Sequence, residues 1–561
     1  MSLLRKVMLY GHTIKTLRPV QIRGLLKRKI RKLRKHTKQK NHLPAYKVNN
    51  YRIEIPQLDE DERYLKRFDI EALLDHEIVL LHERHRLDKG WQEKKASHLW
   101  NFNLHYLEFT VPLAVRWKQT GNRKYKDKWI EFTTLWLADG GVSVDALEPY
   151  TISLRIVNML IGLELVGQVG EGLRKKLTLS VYRQYQYLSK NTETDLLANH
   201  YFENLKALVI GSVVFGEWKN YRRYWPMFLQ QLDEQILPDG LHFERSPMYH
   251  KLVLEGALRV YQVLQGANRR MDAEKLVPVI KSMAGAVFCL EAGFLTTPLF
   301  NDSGDNVSKS TGALLKVCKE ITKVSCCEKK LRADLTDSGY YRFDNGKISV
   351  LFDCGEIGPG YMGGHGHNDC LSFELAVDGR KIFTNSGTGQ YQGKLRCFFR
   401  STSAHNTVMI DDYEQNELWG EHRAARRADG FKVYRGDDRL AGWFLSYTGE
   451  KYSRVLCWKS SRKLEITDRL ECCGGHIARQ YFHLIPGLKY AGEKNVVRVL
   501  DGDQTAAVVK IGRKSGYLIH TEGEITSYAP DFGKYEKKQV LEIRTPFRDT
   551  GRIRLEIEIY G

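Results

Sequence analysis

No acidic residue precedes Glu54, although residues 1–42 hold 14 Lys or Arg. That stretch carries most of the formal charge of +20 and leaves +6 for everything after it. Other things are missing as well. No run approaches the roughly 18 uninterrupted apolar residues of a membrane span. No apolar core followed by small residues marks a secretory signal near the start. The ten cysteines contain no C-x-x-C, which excludes zinc-ribbon and thioredoxin-like spacings and leaves thiols in a reducing compartment as the expectation. There is no G-x-x-x-x-G-K-[ST], no G-x-S-x-G elbow and no dinucleotide fingerprint after a strand. His82-Glu83-Arg84-His85 has its second histidine one residue too early for a zincin and reads as an exposed helix face.

What is present is ordinary globular composition, 42% hydrophobic and 27% charged over 561 residues, enough for about two to four domains. From about residue 60 to 330 the apolar period is helical: Leu154, Val157, Ile161 and Leu165 share one face, as do Leu254, Leu258, Tyr261 and Leu264, and Leu205, Leu208 and Val209. Short Gly, Asp and Pro punctuation separates these helices, which suits a bundle, solenoid or toroid. From about residue 336 apolar and polar residues alternate, and Asp378-Gly379 marks a hairpin. The chain therefore divides into a basic extension (1–55), a helical domain (56–335) and an antiparallel β-sandwich (336–561), a multidomain α+β architecture.

Four clusters carry chemistry. Residues 98–106, with Trp100, Asn101 and His105, offer aromatic rings and amides for sugar rings and hydroxyls, or an aromatic core with capping Asn. Asn199-His200 opens an apolar helix. Residues 239–250 contain Glu244, Ser246, Tyr249 and His250 at a loop-to-helix junction. Gly363-Gly364-His365-Gly366-His367-Asn368-Asp369, followed by Arg400 and Ala404-His405-Asn406-Thr407, is the sharpest, because a His pair among glycines is hard to explain by packing.

In this order, across helices and then strands, the clusters resemble the heparinase II/III-like polysaccharide lyases and the related alginate and oligoalginate lyases; Phe482-His483-Leu484-Ile485-Pro486-Gly487 is also similar. The resemblance implies an incomplete (α/α) toroid before the sandwich, with the cleft between them. It implies β-elimination on a uronate polysaccharide, with Asn199, His200, Tyr249 and His365 as catalytic residues. Asn199 would hydrogen-bond the carboxylate with His200 assisting, Tyr249 would be general acid, base or both, and His365 the partner base or a carboxylate contact. Trp100, Asn101, His105, Glu244 and Arg400 are the expected substrate contacts. No cofactor is required for the reaction. Some relatives hold a structural zinc, and the matching positions here are His367, Asn385 and His405, where Asn replaces the anionic ligand and weakens the set.

The expected partner is an acidic polysaccharide. The basic run from Arg23 to Lys40, with Leu25, Leu26, Ile30 and Leu33 on one helical face, adds an anionic membrane surface; a solvated or docked extension is equally compatible, and nucleic acid ranks last because no recognition motif accompanies the charge. The expected location is the cytoplasm, peripheral to the inner membrane face. Two other functions fit the fold. One is a non-catalytic glycan-binding or assembly protein. The other is a glycoside hydrolase using Glu203 and Glu244 as facing carboxylates.

Overall fold

Up to Thr322 the described chain is helical apart from one β-hairpin, and from Tyr340 onward it is built of strands apart from a few short helical turns. The computed structural model describes residues 3–33, 51–87, 90–323 and 334–560. The end of the basic run, residues 34–42, therefore lies outside the described residues, as do Cys326 and Cys327. Cys354, Cys370, Cys397, Cys457, Cys472 and Cys473 are free thiols.

The helical part is an incomplete toroid of antiparallel helix pairs. Val111–Thr120, Pro149–Val166, Ala198–Val214 and Pro247–Gly266 form the inner row, and each is followed by an outer partner: Arg123–Asp139, Glu171–Lys190, Trp218–Gln235 and Val277–Glu291. The inner helices bury more of their circumference than the outer ones because neighbours cover both flanks. Ala198–Val214 buries every residue except His200. The outer helix Glu171–Lys190 keeps a single buried stripe through Leu177, Val181, Tyr185 and Leu188. The apolar faces expected at 154–165, 205–209 and 254–264 all lie in this inner row. Pro149–Val166 is long and apolar enough to cross a membrane, but most of it is buried inside the toroid.

One expectation fails here. His82-Glu83-Arg84-His85 is not on a helix: Glu77–Leu80 and Glu83–Arg86 pair as a β-hairpin. Leu81 and His82 both take positive φ, 54° and 60°, the geometry of a two-residue turn that matches strand twist.

In the β part, Tyr340–Arg342, Ile348–Asp353, Phe373–Val377 and Arg380–Phe383 form a four-stranded antiparallel sheet. Asp378 and Gly379 sit at φ 47° and 84°, the hairpin expected from their sequence. A larger antiparallel sheet, centred on the long strands Lys463–His483 and Val540–Ile559, packs over it. Phe352, Phe373 and Phe383 meet Phe444, Phe482 and Leu541 in the shared core. A fully buried ion pair, Arg454 to Asp468 at 2.7 Å, crosses this core, and Arg454 also donates to the backbone carbonyl of Leu371.

The segment Phe300–Ser303 joins the two parts. The Ser246 hydroxyl donates to the Asp302 carbonyl at 2.6 Å, the Asn301 amide donates to the Arg245 carbonyl, and the Asn301 side-chain oxygen accepts from the His367 N–H. These bonds fix the start of the Tyr249 helix against the His-Gly loop of the sandwich.

Candidate active site

A cleft of about 1150 Å³ opens between the toroid and the sandwich, and His200, Tyr249 and His365 all line it. Each reaches the cleft by a different local device. His200 stands in the first turn of Ala198–Val214, entered through Leu197 and Ala198 at φ 61° and 49°; two consecutive non-glycine residues there are strained and are held only by their surroundings. Tyr249 lies on the first turn of Pro247–Gly266, where the Ser246 hydroxyl accepts the Tyr249 N–H at 3.1 Å and caps the helix. His365 sits on the glycine loop. A Cβ on Gly366 would fall 2.4 Å from the Ile357 carbonyl, so only glycine allows the loop to pass there. Arg400 donates to the carbonyls of Gly363 and Gly366, and Arg396 to that of Gly364.

The His365 ring is oriented from behind. Its Nδ1 lies 2.8 Å from Asp302, and its Nε2 lies 3.4 Å from the Asn199 amide nitrogen. Asp302 is fully buried and also takes both arms of Arg396 and the Nε2 of His367. Burial alone would raise its pKa, but Arg396 and the two histidines hold it well below the usual carboxylate range. The carboxylate thus stays charged and accepts from His365 Nδ1–H, a tautomer that leaves Nε2 as an acceptor.

Asn199 is buried and donates its side-chain amide to Glu244 at 2.9 and 3.1 Å. Its Oδ1 has no partner among the described residues. His200 is bonded through Nδ1 to Glu193 at 3.1 Å and packs on the Tyr150 ring. Burial opposes its charge, but Glu193 outweighs it and raises the His200 pKa. The Tyr249 hydroxyl lies 2.6 Å from that of Tyr391, and its ring centre is 4.2 Å from that of His365. Burial, then Tyr391, pushes the Tyr249 phenol well above its ordinary value, so it carries its proton at neutral pH.

Sequence reasoning missed four of these groups. Asp302 was marked only by the polar quartet Asn301-Asp302-Ser303-Gly304 after an apolar run, and Tyr391 only by the glycine-rich loop before it. Glu193 and His422 carried no local mark. His422 lies on the short Leu418–Ala424 hairpin, and burial beside Arg396 lowers its pKa to about 3.

The expected substrate contacts are elsewhere. Trp100 is fully buried, with its indole N–H on the Glu83 carbonyl. Asn101 holds backbone at Glu93 and Ser97. His105 is buried against Ser143. Glu244 serves Asn199, and Arg400 holds the glycine loop. None of the five lines the cleft. The reason is helical phase: on His98–Tyr106 the cleft side carries His98, Phe102 and Tyr106, and Trp100, Asn101 and His105 fall on the core side.

The expected zinc positions do not form a zinc site. His367 Nδ1 and His405 Nε2 lie 3.2 Å apart, and the second nitrogen of each ring is used, by Asp302 and by the Ser401 carbonyl. Asn385 contributes no ligand: its Oδ1 accepts from Ser372 and from the Asn406 N–H, and its buried Nδ2 has no partner among the described residues. Two imidazole nitrogens without an anionic oxygen are a poor set for zinc, and no group of three His, Cys, Asp or Glu able to hold a metal occurs among the described residues.

Comparison with known proteins agrees with this architecture. Two family models cover nearly the whole chain, Heparinase II/III N-terminus over residues 23–331 and Heparinase II/III-like, C-terminal over residues 328–556. A heparin-sulfate lyase of Pedobacter heparinus is 23% identical over 417 residues, covering 68% of this chain and 61% of the relative. Another, from Bacteroides thetaiotaomicron, is 20% identical over 65% of this chain and 58% of the relative. The matched region thus spans about three fifths of these curated relatives. A crystal structure of heparinase III superposes with a TM-score of 0.72 at 18% identity, covering 94% of this chain and 88% of that one, and a heparan sulfate lyase structure from Pedobacter heparinus gives 0.57 with 97% and 88% covered. With two family models in register along its length and the same fold, the chain belongs to the heparinase II/III family.

Proposed function

We propose that this protein is a polysaccharide lyase that breaks a uronate-containing chain by β-elimination. The observation that carries this reading is the juxtaposition of His365, with Nε2 available, and the protonated Tyr249 on one wall of the cleft. In the reaction, His365 Nε2 takes the C5 proton, a C4–C5 double bond forms, and the C4–O4 bond breaks. The departing O4 takes the Tyr249 proton. The adjacent imidazolium then returns its proton to the phenolate and closes the cycle. Negative charge develops on the uronate carboxylate. There His200, whose pKa Glu193 raises, supplies the countercharge, while Asn199, its amide N–H groups held by Glu244, lies beside His365 Nε2.

The lining also favours a substrate class. Five Lys or Arg side chains line the cleft. Arg28 pairs with Glu148 and Asp195, Arg67 with Glu108, Lys206 with Glu203, and Arg259 with Asp59. The fifth, Lys309, lies over the Tyr64 ring, and burial lowers its pKa. Sulfate groups would find four of these five cations already held by carboxylates, whereas His200 is bonded to Glu193 through Nδ1 and its other ring nitrogen is left for a substrate carboxylate. The preferred substrate is therefore a uronan with few or no sulfates.

A hydrolase would need two available carboxylates, but Glu203 is paired with Lys206 and Glu244 with Asn199. The test is incubation with a panel of sulfated and unsulfated uronate polysaccharides, followed by ultraviolet absorbance. A conjugated-alkene signal that disappears in Tyr249→Phe is expected. New reducing ends without that absorbance would overturn the lyase reading.

A further inference from the structure

The two N-terminal helices, α1 (Leu3–Thr16) and α2 (Pro19–Leu33), dock on the body with the wrong face for a soluble protein. The inward face of α2 is Gln21, Gly24 and Arg28, small or polar residues. Gly24 sits so close that a Cβ would meet the Asp195 backbone nitrogen at 2.6 Å, and Arg28 pairs with Asp195 and Glu148. On α1, Leu9 is buried, and Thr13 accepts the Trp419 indole N–H at 3.0 Å. Arg18, in the turn, pairs with Glu234 and lies over the Tyr361 ring. The hairpin is thus tied to both the toroid and the sandwich mainly by polar contacts, with Leu9 and the Tyr10 ring on Trp419 as its apolar share, and most of its apolar residues are left over.

Those residues face outward. Leu3, Val7 and Ile14 fall within an arc of about 40° on α1, roughly opposite Leu9, and Ile22, Leu26 and Ile30 within about 80° on α2, opposite Gly24 and Arg28, at 100° per residue. All six are exposed, Leu3 at 79% and Leu26 at 58%. Hydrophobic side chains are seldom displayed in such number on adjacent helices unless something covers them. The charge says what does. Residues 3–33 contain ten Lys or Arg and no acid, and Lys6, Arg23, Lys27 and Lys29 are exposed beside the apolar stripe. A second copy would bring ten like charges against ten across a two-fold interface. An anionic lipid surface satisfies both features at once, taking the apolar side chains at the acyl boundary and the cations among its head groups.

We propose that α1 and α2 form an interfacial membrane anchor that lays this protein on an anionic bilayer. Arg28, on the docked side of α2, also lines the cleft, so the anchor and the cleft share this residue.

The test is co-sedimentation of the full chain with vesicles of phosphatidylcholine alone and of phosphatidylcholine mixed with phosphatidylglycerol. Binding to the mixed vesicles is expected to be at least tenfold stronger. The double variant Val7→Asp/Leu26→Asp should lose that binding at least tenfold, with an unchanged circular dichroism spectrum and melting temperature. Failure of the wild-type chain to bind mixed vesicles overturns the proposal, as does binding that the double variant retains. A wild-type dimer in solution that becomes a monomer in the double variant also overturns it, because the face would then be covered by a second copy. None of these readouts depends on lyase activity.

Discussion

Asp302 lies 2.8 Å from Nδ1 of His365 and gives that imidazole its direction and its tautomer. The same carboxylate neutralises the fully buried Arg396. Asp302→Asn removes the charge from both partners. Turnover should fall about 10²–10⁴-fold, because the acceptor at Nε2 is no longer fixed. Stability should fall by about 3–5 kcal/mol, because Arg396 is left buried and unpaired. Steady-state kinetics and denaturant melts check the two effects separately. Since the folded pKa of Asp302 is depressed, its contribution to stability is present above the ordinary carboxylate range and is lost as pH falls through the lowered folded value.

Tyr391 tunes the proposed acid. Its hydroxyl is 2.6 Å from that of Tyr249 and is one reason the Tyr249 phenol is raised. Tyr391→Phe should lower the Tyr249 pKa and move the alkaline limb of the pH–rate profile toward lower pH. The change should fall mainly on kcat rather than KM. An unshifted limb with a large rise in KM would instead make Tyr391 a substrate contact.

Glu193 raises the His200 pKa. A group whose pKa is raised loses its proton as pH climbs through that raised value, so carboxylate binding should weaken on the alkaline side. Glu193→Gln removes the anion and lowers the His200 pKa. The loss of kcat/KM should then begin at lower pH, and nuclear magnetic resonance titration of the His200 ring should show the same shift.

Helical phase on His98–Tyr106 separates packing from recognition. Trp100→Ala should cost about 3–5 kcal/mol of stability through the cavity it leaves, with little change in KM of the folded fraction. Phe102→Ala, on the cleft side, should raise KM with a smaller effect on melting temperature. Comparing thermal melts with kinetics for the two variants decides the assignment.

Ion pairing in the cleft predicts substrate choice. Because four of the five lining Lys or Arg are bound to carboxylates and the fifth lies over an aromatic ring, adding sulfates to a uronan should lower kcat/KM by about tenfold or more. Glu108→Gln, which releases Arg67 from its partner, should narrow that preference. Competition between matched sulfated and unsulfated oligosaccharides measures both.

The sequence by itself determined which residues could form helices and strands, since apolar period is a local property that neighbours in the chain fix. It placed Asp378-Gly379 in a hairpin and brought Asn199, His200, Tyr249 and His365 forward as a set, because amides, imidazoles and a phenol next to glycines and helix starts leave local marks. Only the tertiary structure decided which side of a helix meets the cleft and which groups stand behind the reacting ones. Trp100 and Phe102 look equally suited to a sugar until the toroid closes over one of them. Asp302 is 63 residues from His365, and its role comes from a bond across the two domains. The N-terminal hairpin shows the same division: the sequence contained its apolar and basic residues, but the seating of Gly24 on Asp195 decided that the apolar side faces outward. Burial, charge partners and the direction of a helix face are properties of contacts distant in the chain, which no local pattern encodes.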